Sequence, residues 1–103
     1  MTSYENGATR SEQKPRYDLI PLVALKRLAE RLTMGAGVHG EDNYKRGGDA
    51  FWRDTVNHGL EHYLKWVDGD RSEDHLAAVM CNIAMMMWKE AVDKPTLQNP
   101  TKE

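Results

Sequence analysis

The sequence predicts an all-α protein: a three-helix protomer that completes a helical bundle by oligomerisation. Three observations carry this. From Leu76 to Trp88 the chain is apolar except for Asn82, with no Gly or Pro, so the segment reads as a helix greasy on all sides. Two further segments place apolar residues at three- and four-residue steps. No segment shows the alternation of a strand, and no internal repeat or low-complexity tract is present.

Taken in order, Met1–Gln13 is polar, lacks apolar periodicity and is expected to be a mobile tail (1–13). The ordered domain is expected over 14–94 and a second mobile tail over 95–103, where Pro95 stops the last helix and Pro100 opposes a restart. Lys14-Pro15-Arg16-Tyr17-Asp18 leads into the first helix as a stiff, extended segment. Pro21 suits a first helical turn, and Leu22, Leu25, Leu28 and Leu32 form the stripe. Gly35 and Gly37 offer C-terminal caps, placing the end near Met34–Gly35. A Gly-rich loop follows from Val38 to Asp49. The second helix covers about Phe51 to Val67, on the stripe Trp52, Val56, Leu60, Tyr63 and Val67, and Asp68-Gly69-Asp70 breaks it. Ser72 is the expected N-cap of the third helix, with Glu73 and Asp74 in its first turn complementing the helix dipole.

Two partner helices cannot cover a helix that is apolar around its circumference, so a dimer or larger assembly built around the third helix is expected. The chain's 103 residues make one domain, and the net charge of −2 gives no electrostatic reason to expect binding to a nucleic-acid duplex. No apolar run reaches the ~18 residues of a membrane span, and the N-terminus has no apolar signal-peptide core. The single Cys81 sits in the apolar helix as a small core residue, in keeping with a reducing compartment and a cytoplasmic protein.

Several residues could carry chemistry. His75 precedes Asn82 by seven positions, about two turns, which puts both within roughly 20° of one helix face. An unpaired amide there costs roughly 1–3 kcal/mol, so a side chain, water, subunit or ligand must meet it. Ligand contact and a register device between subunits both fit. His58 and His62, at i and i+4, share a face with Glu61 adjoining. With His75 or Asp74 they could make a metal site of N and O ligands, or simply hydrogen-bond across helices. Asp68, Asp70, Glu73 and Asp74 crowd the turn before the third helix. They suit either Mg²⁺ held partly through waters or an ordinary exposed cap. Lys14 and Arg16 could clamp a phosphate and Tyr17 stack on a base, or this segment could only pack on the core. The Gly-rich loop is no P-loop, since no Gly-Lys-Ser/Thr follows. Its Tyr44 and nearby Trp52 fit a pocket mouth or plain packing.

Lys14-Pro-Arg-Tyr-Asp-Leu-Ile-Pro21, Met34-Gly-Ala36 with Gly40-Glu-Asp-Asn-Tyr44, His62-Tyr-Leu-Lys-Trp66 with Gly69, and His75-Leu-Ala-Ala with Asn82 together resemble a phage-encoded family. That family is the N-terminal domain of dATP/dGTP diphosphohydrolases, and the resemblance covers about Lys14 to Glu90. It implies an all-α, MazG-like nucleotide pyrophosphohydrolase, cleaving a purine (d)NTP to (d)NMP and pyrophosphate with Mg²⁺. By position the matching residues are Lys14, Arg16, Asp18, Asn43, His62, His75 and Asn82, and the paired Glu-rich motif of MazG-like enzymes is missing. On this reading Asp70, Glu73 and Asp74 hold Mg²⁺, and His62, His75 and Asp74 are the catalytic candidates. Lys14, Arg16, Tyr17, Asp18, Asn43 and Asn82 bind substrate, in the host cytosol if the chain is phage-encoded. The competing readings are a non-catalytic sponge that sequesters a nucleotide or cyclic nucleotide between subunits, and a purely structural or host-protein-binding module.

Overall fold

The computed structural model describes residues 2–3, 5–10 and 14–93. The expected C-terminal tail 95–103 lies outside them. Among the described residues three α-helices make the fold: α1 Leu22–His39, α2 Asp49–Val67 and α3 His75–Asp93. Within the stretch read as a tail, residues Thr2–Ser3 and Thr9–Arg10 (β1 and β2) pair antiparallel, Thr2 with Arg10 and Ser3 with Thr9. Two residues per strand are too few to leave an apolar alternation in the sequence, and the ladder adds no layer to the all-α core.

The lead-in segment turns through a short 3₁₀ helix, Tyr17–Leu19, before Pro21 caps α1. α1 then runs past its expected end. Gly35 and Gly37 stay helical, and the chain leaves the helix at Gly40, whose φ of 90° suits glycine and whose N–H donates to Ala36 O. A glycine inside a helix costs only about 1 kcal/mol against alanine, which the flanking turns absorb.

The loop after α1 holds a second 3₁₀ turn, Asn43–Arg46, and an aromatic cluster fastens it to the end of α3. Tyr44 meets Trp88 edge-on at 5.4 Å, Trp52 stacks on Trp88 at 6.4 Å, and Phe51 packs edge-on against Trp52. Lys45 lies over both Tyr44 and Trp88, and Trp52 Nε1 donates to Gly47 O.

α2 and α3 form a helical hairpin through Asp68–Asp74. Gly69 reverses the chain at φ 91°. Ser72 is not the cap of α3. Its N–H donates to Asp70 Oδ1 at 2.8 Å inside the turn, and Asp74 caps instead, Oδ1 accepting from Ala77 N–H at 3.1 Å. Arg27 of α1 then grips both Asp74 oxygens at 2.6 and 2.8 Å, tying α1 to the start of α3.

α3 is the common partner of the other two helices. Its buried residues, His75, Ala77, Ala78 and Cys81, are mostly small, which lets the backbones approach. Cys81 is the core residue expected, its thiol within reach of Leu28 O, and burial pushes its pKa up. α3 is thus not the helix left without neighbours. Most of the unspent apolar surface lies on α1 (Leu22, Val23, Leu25 and Val38) and α2 (Leu60 and Leu64), while Ile83, Met87 and Val92 are the exposed apolar positions of α3. Among the described residues no helix is long and apolar enough to cross a membrane.

Candidate functional site

An open cleft of about 830 Å³ lies between α1, the 40–48 loop, α2 and α3. Its walls carry apolar residues (Leu32, Ala78, Met85), aromatic rings (Tyr44, Phe51), amides (Asn43, Asn82), the carboxylates of Glu41, Asp42 and Asp54, and the basic Arg31, His39, His58 and His62. Asn82 lines this wall and packs across from Gly59 of α2. A Cβ at position 59 would stand 3.4 Å from Asn82 Nδ2. The polar residue of the apolar helix therefore looks into the cleft and not into a dry seam.

His75 does not line the cleft. It is 1% exposed, behind His62, and the two Nδ1 atoms are 2.9 Å apart. The hairpin explains the meeting: His62 lies a little over one turn from the end of α2, and His75 is the first residue of α3. With both rings neutral, one Nδ1–H donates to the other nitrogen. On its far side His75 Nε2 lies 3.3 Å from Asp70 Oδ2, and among the described residues this buried nitrogen makes no well-formed hydrogen bond. Burial, ahead of the charge of Arg31 and the neighbouring His75, lowers the His62 pKa below its ordinary 6.5. At pH 7 His62 is a neutral base or ligand on the cleft wall.

Three of the turn's four carboxylates are engaged. Asp74 is held down to about 2, first by Arg27. Glu73 is lowered chiefly by Arg31, 3.0 Å away. Asp70 is held to about 2, mainly by hydrogen bonds from Ser72. A Mg²⁺ site needs several open carboxylate oxygens with room for water, and two of these three acids are neutralised by arginines. Asp70, Glu73 and Asp74 therefore do not fit Mg²⁺ as a set. Glu73 does stand beside the histidine pair: one ligand atom from each of His62, Glu73 and His75 falls within 4.8 Å of the others.

Lys14, Arg16, Tyr17 and Asp18 lie on the exposed lead-in segment and do not line the cleft. Arg16 forks onto Asp18 with two contacts of 2.7 Å. Asn43, Asn82 and His62 do line it, with His75 directly behind, and His58 sits on the same wall without joining the histidine pair. Sequence reasoning missed the cleft-lining His39, Glu41, Asp42 and Asp54, and above all Arg31. It faces the cleft, reaches Glu73, and its side chain is only 21% exposed. Its spacing of four from Arg27 was the available signal, since both arginines share the α1 face that meets the start of α3.

With this geometry in view, comparison with known families is decisive for one point. The family model for the dATP/dGTP diphosphohydrolase N-terminal domain matches residues 4–98. The chain belongs to that family. No curated protein and no solved structure matches it. The resemblance read from the Lys14–Pro21, Gly40–Tyr44, His62–Trp66 and His75–Asn82 blocks is thereby borne out, and membership covers nearly the whole chain.

Proposed function

We propose that the chain binds a purine deoxynucleoside triphosphate in the cleft and hydrolyses it at the α–β phosphate bond, giving the monophosphate and pyrophosphate. The observation that carries this reading is the company one cleft keeps. Amides able to read a base edge, aromatic faces, a guanidinium, a neutral imidazole and the carboxylates of Glu41, Asp42 and Asp54, which a divalent cation would have to bridge to a triphosphate, line a volume suited to a small ligand. The family's name supplies the substrate class. Asn82 and Asn43 address the base or sugar, Tyr44 offers a stacking face, and Arg31 takes a phosphate oxygen. Water attacks the α-phosphorus, the bond to the bridging oxygen breaks, and pyrophosphate leaves. His62, backed by His75, prepares that water. A part for Lys14 and Arg16 requires their segment to move or a second copy to bring it to the cleft. The reading carries with it a cytoplasmic, homo-oligomeric protein of phage type.

Purified protein incubated with dATP or dGTP and a panel of divalent metals is expected to release pyrophosphate. His62→Ala and His75→Ala should abolish the release while the helical circular-dichroism signal persists. No turnover across all nucleotides and metals would end the enzyme reading.

A second reading, a sponge that binds the nucleotide without cleaving it, is favoured by the arginine-neutralised carboxylates. It predicts a thermal shift with nucleotide in the absence of metal and recovery of the ligand intact.

A further inference from the structure

The histidine pair is unusual in where it puts its protons. Two ring nitrogens 2.9 Å apart can share one N–H, yet this leaves the buried His75 Nε2 without a hydrogen bond. An orphaned polar atom at 1% exposure is costly and calls for an explanation.

We propose that His62, Glu73 and His75 bind a borderline divalent transition-metal ion of the Zn²⁺ class through two imidazole Nδ1 atoms and one carboxylate oxygen. The donor set is of the kind such ions take, and imidazole nitrogen is a poor ligand for Mg²⁺. Metal–ligand bonds of about 2.0–2.2 Å in a tetrahedral site space the donor atoms by roughly 3.3 Å. The Nδ1 pair at 2.9 Å is slightly inside that spacing, and the three-residue set spans no more than 4.8 Å. Closing it asks that Glu73 swing inward, which its 43% exposed side chain allows, and that the two rings turn and part slightly so that both nitrogens face one point. Arg31 Nη2 holds Oε1 of Glu73, leaving Oε2 for the ion.

The ion also resolves the orphan. A metal on His75 Nδ1 fixes the ring proton on Nε2, where Asp70 Oδ2 already waits at 3.3 Å. A small rotation then gives a carboxylate–histidine–metal arrangement, in which the outer carboxylate orients the ring and raises its basicity. Asp70 becomes an orienting group behind the ligand, and Glu73 the one carboxylate of the turn to touch the ion. Three protein ligands leave a fourth position open. Two neutral imidazoles, the carboxylates of Glu73 and Asp70, a dication and the adjacent Arg31 still sum to a small net positive charge, which suits an anionic ligand arriving from the cleft.

This assignment stands on the geometry of the turn and does not need the nucleotide reading, so its test uses no nucleotide. The full chain, with any affinity tag removed and stripped with EDTA, is titrated calorimetrically with ZnCl₂, CoCl₂ and MgCl₂, and the Co²⁺ form is examined by absorption spectroscopy. The expected result is one Zn²⁺ or Co²⁺ per chain, a tetrahedral Co²⁺ spectrum and no comparable Mg²⁺ binding. Glu73→Gln and His62→Ala should each weaken Zn²⁺ by at least about 100-fold, Asp70→Asn by about 10- to 100-fold, and His58→Ala should leave it unchanged. Glu73→Gln changes a partly exposed side chain and keeps the test independent of whether His75 variants fold. Failure to bind Zn²⁺ or Co²⁺ would overturn the proposal. So would affinity that is indifferent to Glu73→Gln and His62→Ala, dependence on His58 instead, or Mg²⁺ binding as tight as Zn²⁺.

Discussion

Asp74 shows how one side chain can look catalytic in the sequence and be occupied in the structure. It caps α3 through Ala77 N–H and accepts both arms of the Arg27 fork. Asp74→Ala should lose a cap worth about 1 kcal/mol and a partly exposed ion pair worth at most about 1 kcal/mol, for a total of about 1–2 kcal/mol in a denaturant melt. The sign of its pH dependence follows from a folded pKa, about 2, lying below the usual 3.8. The contribution is complete above pH 4 or so and disappears as the pH falls toward 2. Acid melts of the wild type and Asp74→Ala should therefore converge in that window. The residue scale was only partly legible beforehand. Asn82 announced itself as the one amide in an apolar run, and its outlook on the cleft agrees with a contact to something other than the core. Arg27 and Arg31 were invisible as partners of Asp74 and Glu73, because charge pairing across 42 to 47 positions leaves no local pattern.

At the scale of elements, periodic stripes located α1 and α2 and an unbroken apolar run located α3, while their ends depended on chemistry that local rules ranked differently. α1 passes through Gly35 and Gly37 because nothing at those positions demands a positive φ; Gly40 does take one. Nothing stands within 4 Å of a Cβ built at Gly37, so Gly37→Ala should stabilise the chain by up to about 1 kcal/mol. Gly47→Ala should do the reverse. Its Cβ would overlap the Phe51 ring, and pushing that ring off Trp52 should cost about 1–3 kcal/mol. Thermal melts of the two single variants, with opposite signs expected, check the pair. The loop was legible as a loop, and its Tyr44 as a residue for a pocket mouth or for packing; it does both, lining the cleft while its contact with Trp88 of α3 holds the loop there, whereas Trp52 only packs.

Over the whole molecule, three helices bury a narrow seam of small residues and leave long apolar side chains outside. Leu22 is 68% exposed, Val38 70% and Leu64 62%, apolar side chains open to cover by a second copy. The sequence expectation of an assembly rested on α3, whereas the surplus sits mainly on α1 and α2, because α3 already serves both. We expect a dimer or larger in light scattering at micromolar concentration, shifted toward monomer by Leu25→Glu. A monomer at all concentrations would refute that expectation. The account of function depends on the cleft, and Asn82→Leu probes it most directly, keeping α3 apolar while removing the amide from the wall. Titrated calorimetrically with dGTP, the wild type should bind saturably and Asn82→Leu should not, although the variant melts at or above the wild-type temperature. Equal dGTP affinity in the two proteins, or none in the wild type, would contradict a nucleotide in this cleft.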